Sequence, residues 1–113
     1  MYRRYNPARA VGLPTATVGA ISELRVAIDL FEKGYEVFRA LSPTCSCDLA
    51  ILNDGKLLRV EVKTAYRNTK GSTIPPPKGI RADVAALVLP DTIEYQPTLE
   101  SVVPACRTNG ERS

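Results

Sequence analysis

Asp48, Glu61 and Lys63 are the residues of this chain whose types and spacing could carry out a hydrolysis. Two carboxylates can hold a hard divalent cation through oxygen, and an amine beside them can orient or deprotonate a water and meet developing negative charge. The sequence contains no histidine. Neither a serine-histidine-acid triad nor a cysteine-histidine pair can be assembled, so hydrolytic activity must draw on carboxylates, lysine and metal.

These three side chains need a scaffold that brings them to one face, and residues 47–64, CDLAILNDGKLLRVEVKT, read as a β-hairpin that does so. Asp54-Gly55 lies between two alternating apolar runs, a strong signal for a two-residue turn because both positions can take positive φ. That turn pairs Asn53 with Lys56, Leu52 with Leu57 and Ala50 with Arg59. Asp48 then falls opposite Glu61, with Lys63 one diagonal step along the same face. A slip of one residue would separate them. Carboxylates directly opposite across strands have Cβ atoms about 4.5–5.5 Å apart and repel. Either a divalent cation such as Mg²⁺ or the Lys63 ammonium offsets that repulsion. Taken alone the acidic-x-Lys triplet is weak, since charged residues at ordinary frequency produce it about once per hundred residues.

Upstream, residues 19–40 open with a helix from Thr17 or Val18 to Lys33. Ser22, Arg25, Asp29, Glu32 and Lys33 read as its polar face, and Ala20, Ile21, Leu24, Ala27, Ile28 and Phe31 as its buried side. Glu23 sits off the polar stripe, where an unpaired carboxylate is costly to bury. It either reaches solvent at the edge of the face or turns toward a metal or water. Gly34 ends the helix, and Tyr35 to Leu41 reads as a strand. After the hairpin, residues 66–82 carry Gly71, Pro75-Pro76-Pro77 and Gly79, which predicts a loop without regular structure. Val84 to Leu89 is an uninterrupted apolar run typical of a strand covered on both faces. Ile93 to Gln96 is expected as a short edge strand, and Thr98 to Val103 as a final helical turn.

In this order the elements resemble the PD-(D/E)XK nuclease superfamily. A helix carrying Glu23 is followed by a strand, then by Asp48 and the acidic-x-Lys motif Glu61-Val62-Lys63 on a hairpin. The resemblance covers about residues 19–64 and is nearest to small endonucleases of the Holliday-junction-resolvase and phage or intron-encoded type. The shared stretches are Gly-x-x-Ser-Glu (19–23), Val-x-Val-Lys-Thr (60–64) and Ala-Asp-x-x-Ala-Leu-Val (82–88). Cys47 stands where the family often has proline, and no helix pattern follows Lys63. The resemblance implies an α/β, restriction-endonuclease-like core: a central mixed sheet of four to five strands with the N-terminal helix on one face. It implies metal-dependent cleavage of DNA, with Glu23, Asp48, Glu61 and Lys63 as catalytic residues opening onto one pocket. Asp48, Glu61 and the Val62 backbone carbonyl would bind Mg²⁺, which Mn²⁺ replaces, and Glu23 would hold a water or a second metal. The competing expectation is a catalytically silent DNA-binding or assembly subunit that keeps the fold.

At 113 residues and 44% hydrophobic, the chain has room for one core. We divide it into a basic arm (1–17), a nuclease-like domain (18–106) and a polar tail (107–113). The net charge of +3 comes from the arm, where Arg3, Arg4 and Arg9 precede any acid. A second acid-free window lies between Glu61 and Asp83, with Arg67, Lys70, Lys78 and Arg81 interleaved with hydroxyls, amides and glycine. Such segments suit phosphate contacts, and the alternative for each is a solvated arm or loop. We expect DNA as partner and a homodimer or higher homo-oligomer. No apolar run approaches a membrane span or a signal peptide, which predicts a cytoplasmic protein. Cys45, Cys47 and Cys106 are expected to be buried or half-buried thiols, since the Cys-Ser-Cys spacing is too tight for an ordinary zinc knuckle.

Overall fold

Helix α1 (Thr15–Glu32) starts where Pro14, extended at φ −61° and ψ 149°, offers its carbonyl to the amides of Thr17 and Val18. The computed structural model describes residues 12–42, 44–74 and 82–102. The helix thus begins inside the stretch expected to be arm. It ends at Lys33, and Gly34 takes φ +91°, the left-handed turn that glycine adopts most readily.

The face that α1 buries differs from the expected one. Ser22, Val26 and Leu30 are fully buried, whereas Leu24, Ile28 and Phe31 are 51%, 55% and 57% exposed. Residues four apart form one stripe along a helix, and the stripe through 22, 26 and 30 meets the sheet. Apolar residues stand all round this helix, so their pattern alone does not select a face. Polar partners on the sheet do. Thr64 accepts or donates to Ser22 at 2.7 Å, and the Tyr95 hydroxyl donates to Asp29 at 2.6 Å.

The strands follow in order: β1 (Glu36–Arg39), β2 (Leu49–Asn53), β3 (Lys56–Thr64), β4 (Tyr66–Arg67), β5 (Thr73–Ile74), β6 (Val84–Val88) and β7 (Ile93–Gln96). A helical turn, α2 (Leu99–Val102), closes the described chain. One five-stranded sheet runs β1-β2-β3-β6-β7, antiparallel throughout except for the parallel β3–β6 pair. This is the mixed α/β architecture expected, with the hairpin near its centre. At the hairpin tip Asp54 and Gly55 take φ of +51° and +80°, and Asn53↔Lys56, Leu52↔Leu57 and Ala50↔Arg59 pair as the turn chemistry dictates.

A parallel pair needs a crossover, and here it contains a second, two-stranded sheet, β4–β5, where a loop without regular structure was expected. Asn68 builds its turn: its Oδ1 accepts the amides of Lys70 and Ser72, both at 2.9 Å. No helix occurs among the described residues of the crossover, consistent with the missing helix pattern after Lys63. Val26 and Leu30 pack on Leu49, Ile51, Val60, Val84, Ala86 and Val88, and a smaller cluster of Ala65, Leu87 and Leu89 lies apart. Every residue of β6 is buried, as an all-apolar strand requires. Among the described residues no helix is long and apolar enough to cross a membrane.

Candidate active site

Alternation along β3 decides which way the acidic-x-Lys motif points. Val60 joins the core beneath α1, and Thr64 meets Ser22 of that helix. Period-two geometry then puts Glu61 and Lys63 together on the opposite face. Lys63 Nζ lies 3.5 Å from Glu61 Oε2, with both side chains a little under one-third exposed. The other oxygen, Glu61 Oε1, is buried without a hydrogen-bond partner. A buried carboxylate oxygen in that state is costly and calls for a cation or a donor.

Asp48 lies one step beyond the last ladder pair, Leu49↔Val60. Its amide donates to the Val60 carbonyl at 3.2 Å, and its own carbonyl accepts the Ala40 amide at 3.1 Å. Its side chain reaches across to β3, where Oδ2 accepts the Val62 amide at 2.8 Å. The carboxylate is therefore clamped to the backbone of the residue between Glu61 and Lys63. A charged acceptor on an N–H is the stronger kind of hydrogen bond.

Glu23 approaches from α1. Its carboxylate lies 3.6 Å from the Arg39 guanidinium at the end of β1. Burial pushes its carboxyl above the usual range, Asp48 pushes it the same way, and Arg39 opposes both. Glu23, Arg39 and Asp48 line a cavity of about 230 Å³, with Cys45 and Cys47 in its wall. Glu61 and Lys63 are not part of that wall, so the structure brings Glu23 to Asp48, and Glu61 to Lys63, with the Asp48–Val62 bond linking the two pairs. Cys45 is exposed and Cys47 half-buried, both as free thiols, and burial raises the Cys47 thiol above its ordinary value. Cys106 lies outside the described residues.

The carboxylates of Asp48 and Glu61 are oxygen donors of the chemistry a hard divalent cation takes. Among the described residues no three acidic or cysteine side chains close into a cage. An ion would thus rest on Asp48 and Glu61, the Val62 carbonyl and water, a sparse set of the kind Mg²⁺ tolerates because it keeps much of its hydration. The orphaned Glu61 oxygen is the observation that makes the fit.

The basic window reads differently in space. Arg67 bonds to Glu94 of β7 and, at 3.2 Å, to Thr73, so a segment acid-free in sequence meets an acid across the fold. Lys70 is exposed on the β4–β5 turn. Arg3, Arg4, Arg9, Lys78 and Arg81 lie outside the described residues. Sequence reasoning missed Arg39 and the Ser22–Thr64 contact. Arg39 carried no motif, whereas the serine beside Glu23 and the threonine after Lys63 were both in the shared stretches.

Ser22 is the one buried polar residue of the core among the described residues, and its bond to Thr64 ties the Glu23 helix to the end of the Lys63 strand. Ser22→Ala leaves the Thr64 hydroxyl without that partner and should cost about 1–2 kcal/mol. Replacing both, with Thr64→Val added, should recover most of the loss, since two matched apolar groups strand nothing. Urea unfolding of the two singles and the double gives the coupling energy. Additive losses would mean that the contact is not a bond in solution.

A mixed sheet whose central hairpin presents Asp48, Glu61 and Lys63, with a glutamate entering from the first helix, is a restriction-endonuclease-like nuclease core. Residues 13–81 match the family model described as PD-(D/E)XK endonuclease, more than half of the chain, and the protein belongs to that family. In fold it is similar to a solved bacterial homing endonuclease, I-Ssp6803I, with a TM-score of 0.60 and 20% identity over 74% of this chain and 68% of that one. No curated protein gives a significant match. The class is thus a nuclease, and nucleases of this family typically use divalent metals.

Proposed function

We propose that this protein is a Mg²⁺-dependent deoxyribonuclease acting as an endonuclease, with a structure-specific, junction-type substrate. The observation that carries the reading is the buried, partnerless Glu61 Oε1 of a carboxylate that meets Lys63, on the strand whose next residue, Val62, gives its amide to the Asp48 carboxylate. Asp48, Glu61 and the Val62 carbonyl would hold the ion. When bound, it supplies charge neutralisation at the phosphate and a more acidic water. Lys63, as the ammonium, donates to a phosphate oxygen and stabilises the charge that develops there. To serve instead as base to the attacking water it would first have to release its own proton to solvent, which needs a bound cation to neutralise Asp48 and Glu61. Glu23 orients a water from the Asp48 side. Mn²⁺ would serve in place of Mg²⁺.

The experiment is a panel of labelled four-way junction, flap, single-stranded and duplex DNA with Mg²⁺ or Mn²⁺, beside melting curves in the same ions. Cleavage should require metal, and saturating metal at about 100 times its Kd should stabilise the fold by about 2.7 kcal/mol. Binding without cleavage on every substrate would leave the silent DNA-binding subunit. No binding and no metal-linked stabilisation would end both readings.

Phosphate contact is assigned to the basic arm and the crossover, with Lys70 foremost and Arg67 available only by leaving Glu94. Lys70→Glu should weaken duplex affinity similarly for unrelated sequences, and should lower the slope of log affinity against log salt by about 0.9. A salt titration in Ca²⁺ measures it, and an unchanged slope would remove the β4–β5 turn from the DNA path. We also propose a homodimer, supported by the exposed apolar stripe of Leu24, Ile28 and Phe31, and an intracellular location, where its DNA substrate is.

A further inference from the structure

Arg39 occupies a position that the catalytic reading above leaves unexplained. It is the last residue of β1, paired with Leu49, and the following amide, Ala40, donates to the Asp48 carbonyl at 3.1 Å. Its backbone is therefore fixed beside Asp48. Its side chain is more than half exposed and meets the half-buried Glu23 at 3.6 Å through one nitrogen. Both carboxylates, Glu23 and Asp48, stand in the wall of the same cavity, with Arg39 as its basic member.

We infer that Arg39 is an exchangeable cation at this cavity: it neutralises Glu23 in the metal-free protein and moves to a phosphate oxygen of the nucleic acid once a divalent cation has taken over that neutralisation. The inference rests on the metal-dependent nuclease reading. An ion pair with a mostly exposed arginine and one long contact is weak, so releasing it costs little. A guanidinium matches a phosphate in shape and charge, and can form two parallel hydrogen bonds to it, whereas its contact with Glu23 is an ion pair at 3.6 Å. The cation and Arg39 also compete for the same negative field. In the metal-free protein Arg39 opposes metal entry, while in the DNA complex it favours substrate, so its removal should move the two affinities in opposite directions.

That opposition is the test, and a purely structural arginine would not produce it. In Arg39→Gln, Mn²⁺ binding measured by calorimetry without DNA should tighten about five- to tenfold, the effect of deleting a unit charge near a divalent ion across solvent. Duplex affinity in Ca²⁺ should fall about three- to tenfold with a salt slope lower by about 0.9. Arg39→Lys keeps the charge and should return Mn²⁺ affinity to the wild-type value while only partly restoring DNA affinity, because the ammonium cannot form the two-bond fork. Urea unfolding of all three proteins in chelator reports the fold. If wild type binds Mn²⁺ and Arg39→Gln changes neither affinity, or weakens both with a matching loss of stability, the inference is overturned and the nuclease reading stands. If wild type itself binds no Mn²⁺, the metal-dependent reading falls and takes the inference with it.

Discussion

Asp48→Asn and Glu61→Gln are each expected to eliminate cleavage and weaken metal binding, while Lys63→Ala eliminates cleavage and leaves metal binding near wild type. The difference follows from what each side chain touches. Asp48 and Glu61 bring the oxygens that would hold the ion, and Glu61 Oε1 has no other partner. Lys63 would contribute no ligand and stands 3.5 Å from Glu61, where its proposed work is on the water and the phosphate. A positioned acid or base is worth about 10²–10⁴ in rate, so the loss in Lys63→Ala should be at least of that order in single-turnover assays. None of the three should unfold the protein. Asp48→Asn retains a side-chain oxygen for the Val62 amide. Glu61→Gln removes a charge whose buried oxygen is unsatisfied, so that variant should melt at or above wild type in chelator. Calorimetry with Mn²⁺ separates ligand from base. Full activity in Lys63→Ala, or metal binding undisturbed in both carboxylate variants, would sink the assigned chemistry.

The hairpin was legible in the sequence because its information is local. Asp54-Gly55 fixes the turn, the turn fixes the register, and the register puts Glu61 and Lys63 on one face. The end of the ladder was not legible. There Asp48 does not simply stand opposite Glu61 but gives its carboxylate to the Val62 amide, a choice made by three-dimensional geometry near Ala40 and Val60. The same holds for Arg67. Its window is free of acids only along the chain, and Glu94 arrives from a strand on the far side of the sheet. The neighbours of Glu23 along the chain left it between an edge position and a turn toward metal or water, and the charged groups it meets, the Arg39 guanidinium and the like-charged Asp48, come from the end of β1 and the residue before β2.

Helix α1 carries the sharpest disagreement between apolar pattern and packing, and two leucines distinguish the alternatives. Leu30→Ala should lower stability by about 2–5 kcal/mol, whereas Leu24→Ala should change it by less than about 0.5 kcal/mol. Both are leucines of one helix, so propensity is the same and burial alone distinguishes them. Leu30 has no exposed surface and packs in the cluster of Val26, Leu49, Ile51 and Val60, where truncation opens a cavity the sheet cannot close. Leu24 is half exposed and loses little that water cannot replace. Because Glu23 rides on this helix, Leu30→Ala should also loosen the Glu23–Asp48 cavity and reduce cleavage even where the fold survives. Leu24→Ala should cleave as wild type does in the monomer. Urea unfolding at several protein concentrations reads both effects. Equal losses that do not depend on concentration would return the helix to the face its apolar residues suggested, whereas a loss in Leu24→Ala that grows as the protein is concentrated would locate the second copy on the Leu24-Ile28-Phe31 stripe.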